Sequence, residues 1–103
     1  MAASGGGKEA MVAIQDLIPV GSVVTLRGAR KKCVIIGIMQ SRADDEKERV
    51  YDYLGVPYPE GYLGDGSCLA FDHENVDDIV WRGYENPERG RFLEAIAEIL
   101  EKN

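Results

Sequence analysis

The sequence predicts an α+β fold, a small curved antiparallel β-sheet of about five strands packed by a C-terminal α-helix. Two observations carry that expectation. Runs rich in β-branched residues and of strand length recur between Ser22 and Tyr84, separated by Gly- and Pro-rich turns. After Tyr84 the apolar spacing changes to that of a helix. The chain of 103 residues has room for one core. Residues 17–103 are therefore read as a single domain behind a flexible or weakly helical tail over 1–16.

Residues 1–10 are small and Gly-rich, with too little apolar surface to offset the entropy of ordering them. Met11, Ile14 and Leu17 give the stretch from Glu9 some helical character ahead of Pro19. Val23-Val24-Thr25-Leu26-Arg27 and Cys33 to Gln40 then read as a hairpin whose tip, Gly28 to Lys32, is basic. Gly37 interrupts the second of these strands and marks a bulge or bend where the sheet curls. Ser41 to Arg49 carries mixed charge without an apolar face and reads as a solvated loop.

Val50 to Val56 returns as a third strand. Two-residue alternation places Tyr51 and Tyr53 on one face and Val50, Asp52 and Leu54 on the other. Pro57 and Pro59 end regular pairing, and Pro59 to Gly66 is turn chemistry throughout. Ser67 to Phe71 is a fourth strand, Asp72 or His73 opens one helical turn through Asp77, and Ile79 to Tyr84 is the fifth. Asn86 is a good N-cap, Pro87 suits the first helical position and Glu88 the positive dipole end. Phe92, Leu93, Ile96, Ile99 and Leu100 form one apolar stripe that needs an apolar surface to pack on.

Charge and composition exclude several classes. With 12 Lys+Arg against 18 Asp+Glu the net charge is −6, which disfavours nucleic-acid binding, since that draws its affinity from cations releasing counterions. No apolar run approaches the roughly 20 residues of a membrane-spanning helix. The first residues lack the charged start and apolar core of a signal peptide, so the expected compartment is the cytoplasm. Cys33 and Cys68, each in an apolar strand context, read as buried thiols, and two thiols with one imidazole do not fill a zinc site. No metal and no cofactor is expected. His73 sits among Asp72, Glu74, Asp77 and Asp78, a setting that suits acid–base work, but no nucleophile with a local signature accompanies it. It is read as a turn or capping residue, and no catalytic residue is assigned.

Several short motifs in this order resemble one known family. They are Pro19-Val20-Gly21-Ser22-Val23-Val24, Gly28 with Lys31-Lys32, Ile36-Gly37 and Gln40, Tyr51-Asp52-Tyr53 with Gly55, Tyr58-Pro59-Glu60-Gly61, Phe71-Asp72-His73-Glu74, and Gly83-Tyr84. Over about residues 17 to 100 they look like the small Gram-positive family catalogued as domain of unknown function 4176. The resemblance implies a cytoplasmic accessory protein encoded beside type VII secretion systems and their toxins, where some relatives act as a dedicated toxin chaperone or targeting factor. The family's usual Phe-Asn-His-Glu stands here as Phe71-Asp72-His73-Glu74. No catalytic residue is implied.

The residues themselves offer a binding surface. Tyr combines a large apolar area with a polar tip, so Tyr58 and Tyr62 beside Glu60 read as partner anchors, whereas Tyr51 and Tyr53 read as core. Arg27, Arg30, Lys31 and Lys32 form a basic patch that either steers an oppositely charged partner or guards a strand edge. The expected function is a non-enzymatic adaptor that binds a secreted LXG-like toxin or a secretion component before export. The alternatives are an immunity-type protein that neutralises a toxin, or a protein-binding domain of another kind. A small hydrolase built on His73 with Asp72 or Glu74 lacks the required geometry. Unpaired sheet edges would also accept a second copy, so a homodimer is among the expected partners.

Overall fold

Val, Ile or Thr occurs in four of the five strands, and glycine or proline lies within or close to the ends of several of them. The structure, a computed structural model, describes residues 12–41 and 49–102. Among them are five strands: β1 (Val23–Leu26), β2 (Lys32–Ser41), β3 (Val50–Pro57), β4 (Leu69–Phe71) and β5 (Val76–Trp81). They form one sheet in the order β4-β3-β2-β1-β5, with every neighbouring pair antiparallel. A helix, α1 (Pro87–Lys102), follows at the C-terminal end. The α+β class is as the sequence predicts.

The connection between the two edge strands shows how the sheet is shaped. Laid flat, five strands about 4.8 Å apart would separate β4 from β5 by about 19 Å. Only residues 72–75 link them, and three of these, His73–Asn75, form a 3-10 turn with a rise of about 2 Å per residue. So short a link is compatible only with a curled sheet whose edges approach each other, a partly open five-stranded barrel. The curl has a local source at Gly37, as expected. The β2–β3 register shifts between Ile35 and Gly37, so Ile36 is an extra residue on the bulged strand. Two further shifts lie where β1 pairs with β5, between Val23 and Val24 and between Thr25 and Leu26.

The chain divides into two compact units. One is Ile18–Tyr84, the whole sheet. Its core is Ile18, Val24, Cys33, Ile35, Ile38, Tyr53, Val56 and Phe71, all buried. Gly55 allows this packing, because a Cβ there would lie 2.3 Å from the Cys33 Sγ. The other unit joins the segments on either side, of which 12–17 and 85–102 are described. In it, the Asn86 Oδ1 accepts the Arg89 N–H at 3.0 Å, the predicted N-cap, and Arg89 donates to the Leu17 carbonyl at 2.6 Å. Along α1, Leu93 is buried and Ile96 half-buried, while Phe92, Ile99 and Leu100 are exposed.

Several expectations change. The fourth strand begins at Leu69, not Ser67, because Asp65–Ser67 forms a 3-10 turn. The helical turn after Asp72 ends at Asn75, not Asp77, because Asn75 turns back to accept the Asp72 N–H and Val76 pairs with Leu26. The last strand accordingly runs Val76–Trp81, earlier than the predicted Ile79 to Tyr84. In β3 the alternation of faces holds through its regular pairing with β2, but neither face is left in water there, since Asp52 and Tyr53 are both buried. Residue 52 faces the 3-10 turn, where its carboxylate is hydrogen-bonded. Of the helical expectation over Glu9 to Leu17, residues 9–11 lie outside the described residues, and the remainder holds a 3-10 turn at Ile14–Asp16.

The expected tail over 1–10 lies outside the described residues. So does most of the loop Ser41 to Arg49, of which Ser41 is the last residue of β2 and Arg49 is tied to Asp72 rather than free in solvent.

Candidate functional site

Antiparallel pairing of β2 with β3 places Cys33 opposite Pro57, so the start of β2 and the end of β3 emerge side by side. The turn before β2 carries Arg30 and Lys31, Lys32 is the first residue of β2, and the loop after β3 carries Tyr58, Glu60 and Tyr62. Three contacts fasten the two segments. The Tyr58 N–H donates to the Lys32 carbonyl at 2.9 Å, and the Lys31 Nζ lies 2.8 Å and 2.7 Å from the two oxygens of Glu60. The hydrogen bond from Lys31 holds the Glu60 carboxyl below the usual carboxylate range.

The loop is structured. Tyr58–Pro59 is a cis peptide, Gly61 takes a positive φ of 79°, and its N–H donates to the Pro57 carbonyl at 2.7 Å. The Tyr62 hydroxyl donates to Asp65 at 2.7 Å, and that bond pushes its pKa up. The Ser67 hydroxyl accepts the Leu63 N–H at 2.9 Å. The apolar parts of this segment are left in water: Tyr58, Tyr62 and Leu63 are 47%, 60% and 67% exposed. Leu63, which the sequence reading passed over, belongs with the two tyrosines. Its signal in the sequence was a lone leucine inside turn chemistry, with no core position to fill.

Arg27 separates from the other cations. Because β1 pairs with β5, its Nε donates to the Glu74 carbonyl at 3.0 Å and its guanidinium lies 3.7 Å from Asp77. One member of the basic group thus sits on the acidic stretch around His73.

A second polar cluster was not visible in the sequence. Asp52 and Asp72 are 2% and 6% exposed. Asp72 accepts the Asp52 N–H at 3.2 Å and pairs with Arg49, whose guanidinium also stacks 4.3 Å from the Tyr51 ring centre. Asp52 in turn accepts the His73 N–H at 2.8 Å. The Tyr53 hydroxyl accepts the Ile18 N–H at 2.9 Å and lies 2.6 Å from the His73 Nδ1. His73 opens the 3-10 turn and Asp72 is its N-cap residue, so the turn reading of His73 holds. These bonds secure the link between β4 and β5. Their chemistry is that of a closed structural network, in which buried charge is paired and hydrogen-bonded.

Cys33 is buried and Cys68 half-buried, both as free thiols, and burial pushes Cys33 up to about 11. Among the described residues no three His, Cys, Asp or Glu side chains converge as metal ligands. No helix among them is long and apolar enough to cross a membrane. In comparisons with known proteins, a family model described as Domain of unknown function (DUF4176) matches residues 17–92, well over half of the chain. No curated protein and no solved structure matches it.

Proposed function

Since the chain belongs to the DUF4176 family, we propose that it is a non-enzymatic chaperone or targeting adaptor that binds a protein client in the cytoplasm. The client is a toxin of the LXG type, or a component of the type VII system that exports it. One observation carries the reading: Tyr58, Tyr62 and Leu63 stand exposed on a loop that hydrogen bonds keep ordered, beside three consecutive cations. Rigid aromatic side chains with a polar rim are the usual anchors of protein interfaces, because little conformational entropy is lost when they are covered. The buried network around Asp52 and Asp72 ties the start of β3 to the 3-10 turn and so supports the fold.

The test is affinity purification of the tagged protein from its native host, followed by mass spectrometry. Recovery of an LXG-type toxin or a secretion component by the wild type, and its loss in the Tyr58→Ala/Tyr62→Ala variant, is the expected result. Recovery of neither class by the wild type overturns the reading. So does a purified protein that abolishes the toxin's activity at stoichiometric amounts, which is the behaviour of an immunity protein.

A further inference from the structure

Within the sheet unit Ile18–Tyr84, the strand registers fix which residues share a face. Val24 and Cys33 stand opposite each other and are buried in the core. Val23 and Thr25, on either side of Val24, point to the other face. Opposite Val23 stand Val34 on β2 and Trp81 on β5, and opposite Thr25 stand Lys32 on β2 and Asp78 on β5. These six residues therefore form two rows across three strands, one apolar and one polar.

A bulge puts Trp81 in the apolar row. Ile79 stands opposite Val24, so unbroken alternation would carry Trp81 to the core side as well. The extra residue Val80 turns it to the other face, where it is 62% exposed. The sheet edges offer a partner less than this face does. β4 is three residues long and β5 carries two register shifts, features that discourage an added strand.

The polar row selects the partner. Lys32 and Asp78 are exposed and have no ion-pair partner among the described residues. Their sequence neighbours are engaged, Lys31 with Glu60 and Asp77 with Arg27. When two copies are stacked face to face, a two-fold axis parallel to β1 carries β5 of each over β2 of the other. Trp81 then lies on Val34 of the second copy, Val23 on Val23, and Asp78 meets Lys32 once on each side of the axis. A two-fold axis across the strands stacks β5 on β5 and brings no Asp78 to a Lys32. The face is thus complementary to itself, apolar row on apolar row and acid on base.

We infer that the chain pairs with a second copy of itself through this face, sheet on sheet with the strands aligned, as a weak reversible dimer. Trp81 is its central anchor, and the Asp78–Lys32 pairs fix its orientation. This goes beyond the adaptor reading and does not depend on it.

The test is sedimentation equilibrium of the full chain from micromolar to millimolar concentration. At about 0.15 M salt the Debye length is about 8 Å, so repulsion between two copies of −6 is largely screened while charges in contact are not. A monomer–dimer equilibrium is expected, and the emission of Trp81, the only tryptophan, moves to shorter wavelength as the dimer forms. Trp81→Ala, Asp78→Lys and Lys32→Asp are each expected to weaken self-association by about tenfold or more. Mixing the two charge variants is expected to restore it, because one then carries two cations and the other two anions at the matched positions. Both variants change only exposed side chains, so loss of folding does not mimic their effect. A chain that stays monomeric throughout, a dimer that survives Trp81→Ala, or a mixture that associates no better than either charge variant alone overturns the inference.

Discussion

β3 joins two charged regions with opposite relations to water. Near its start, Asp52 and, across from it, Asp72 are almost wholly buried and bonded to Arg49, the His73 N–H and the Asp52 N–H. Just past its end, Glu60 and Lys31 pair in the open, with Tyr58 and Tyr62 beside them. A charge removed from water must be matched, and removal of its partner leaves an uncompensated group inside the protein. A charge left in water contributes little to folding and remains free to meet something else. The first region is thereby committed to holding the link between β4 and β5, and the second stays in contact with water.

The most severe way to break this comparison is at Asp72. Asp72→Ala leaves Arg49 and the Asp52 N–H without their acceptor and is expected to cost about 3 kcal/mol, read from urea denaturation. An unchanged midpoint would show that the buried region is not structural.

The pH dependence comes next. Lys32 is exposed and Cys33, its neighbour, is buried, so the boundary between the regimes passes between adjacent residues. Burial holds the Cys33 thiol at about 11 against an ordinary 9.0, so the folded chain keeps a proton that the unfolded chain releases. Its contribution is complete below pH 9 and lost as the pH rises towards 11, up to about 3 kcal/mol. Denaturation of the wild type against Cys33→Ala from pH 8 to 11 checks it, the variant lacking this part of the decline.

Tyr53→Phe keeps the ring packed on Phe71 and removes only the hydroxyl between Ile18 and His73. A loss of about 1–2 kcal/mol is expected in the same assay. At the other region Lys31→Ala is expected to leave the urea midpoint where it was and to let the Glu60 carboxyl return towards its ordinary range, which NMR titration would follow. A large drop in stability there would erase the distinction between the two regions.

Local rules made much of this legible in advance. The hairpin, the bulge at Gly37, the turn chemistry of Pro59 to Gly66 and the Asn86 cap depend on residues close in sequence, and each stands where the sequence placed it. The surface residues Tyr58, Glu60 and Tyr62 were legible for the same reason, since turn chemistry keeps side chains out of a core. The buried network was not. Arg49 and Asp72 are 23 residues apart, Tyr53 and His73 are 20 apart, and nothing in either segment names the other.

Composition, periodicity and glycine and proline chemistry determined the class of fold, the sites of its turns and the exposure of Tyr58 and Tyr62. Tertiary structure alone decided which distant charges met. The short link from β4 to β5 goes with a curled sheet, and the 3-10 turn in that link lies against the start of β3, so that Asp52 is buried on the face opposite Tyr53. The β2–β3 pairing likewise decided that the Lys31 turn and the Tyr58 loop form one surface, while β1–β5 pairing drew Arg27 away to Asp77. The physical reason is range: hydrogen-bonding turns and apolar periods act over a few residues, whereas burial and ion pairing depend on neighbours that only the folded sheet supplies.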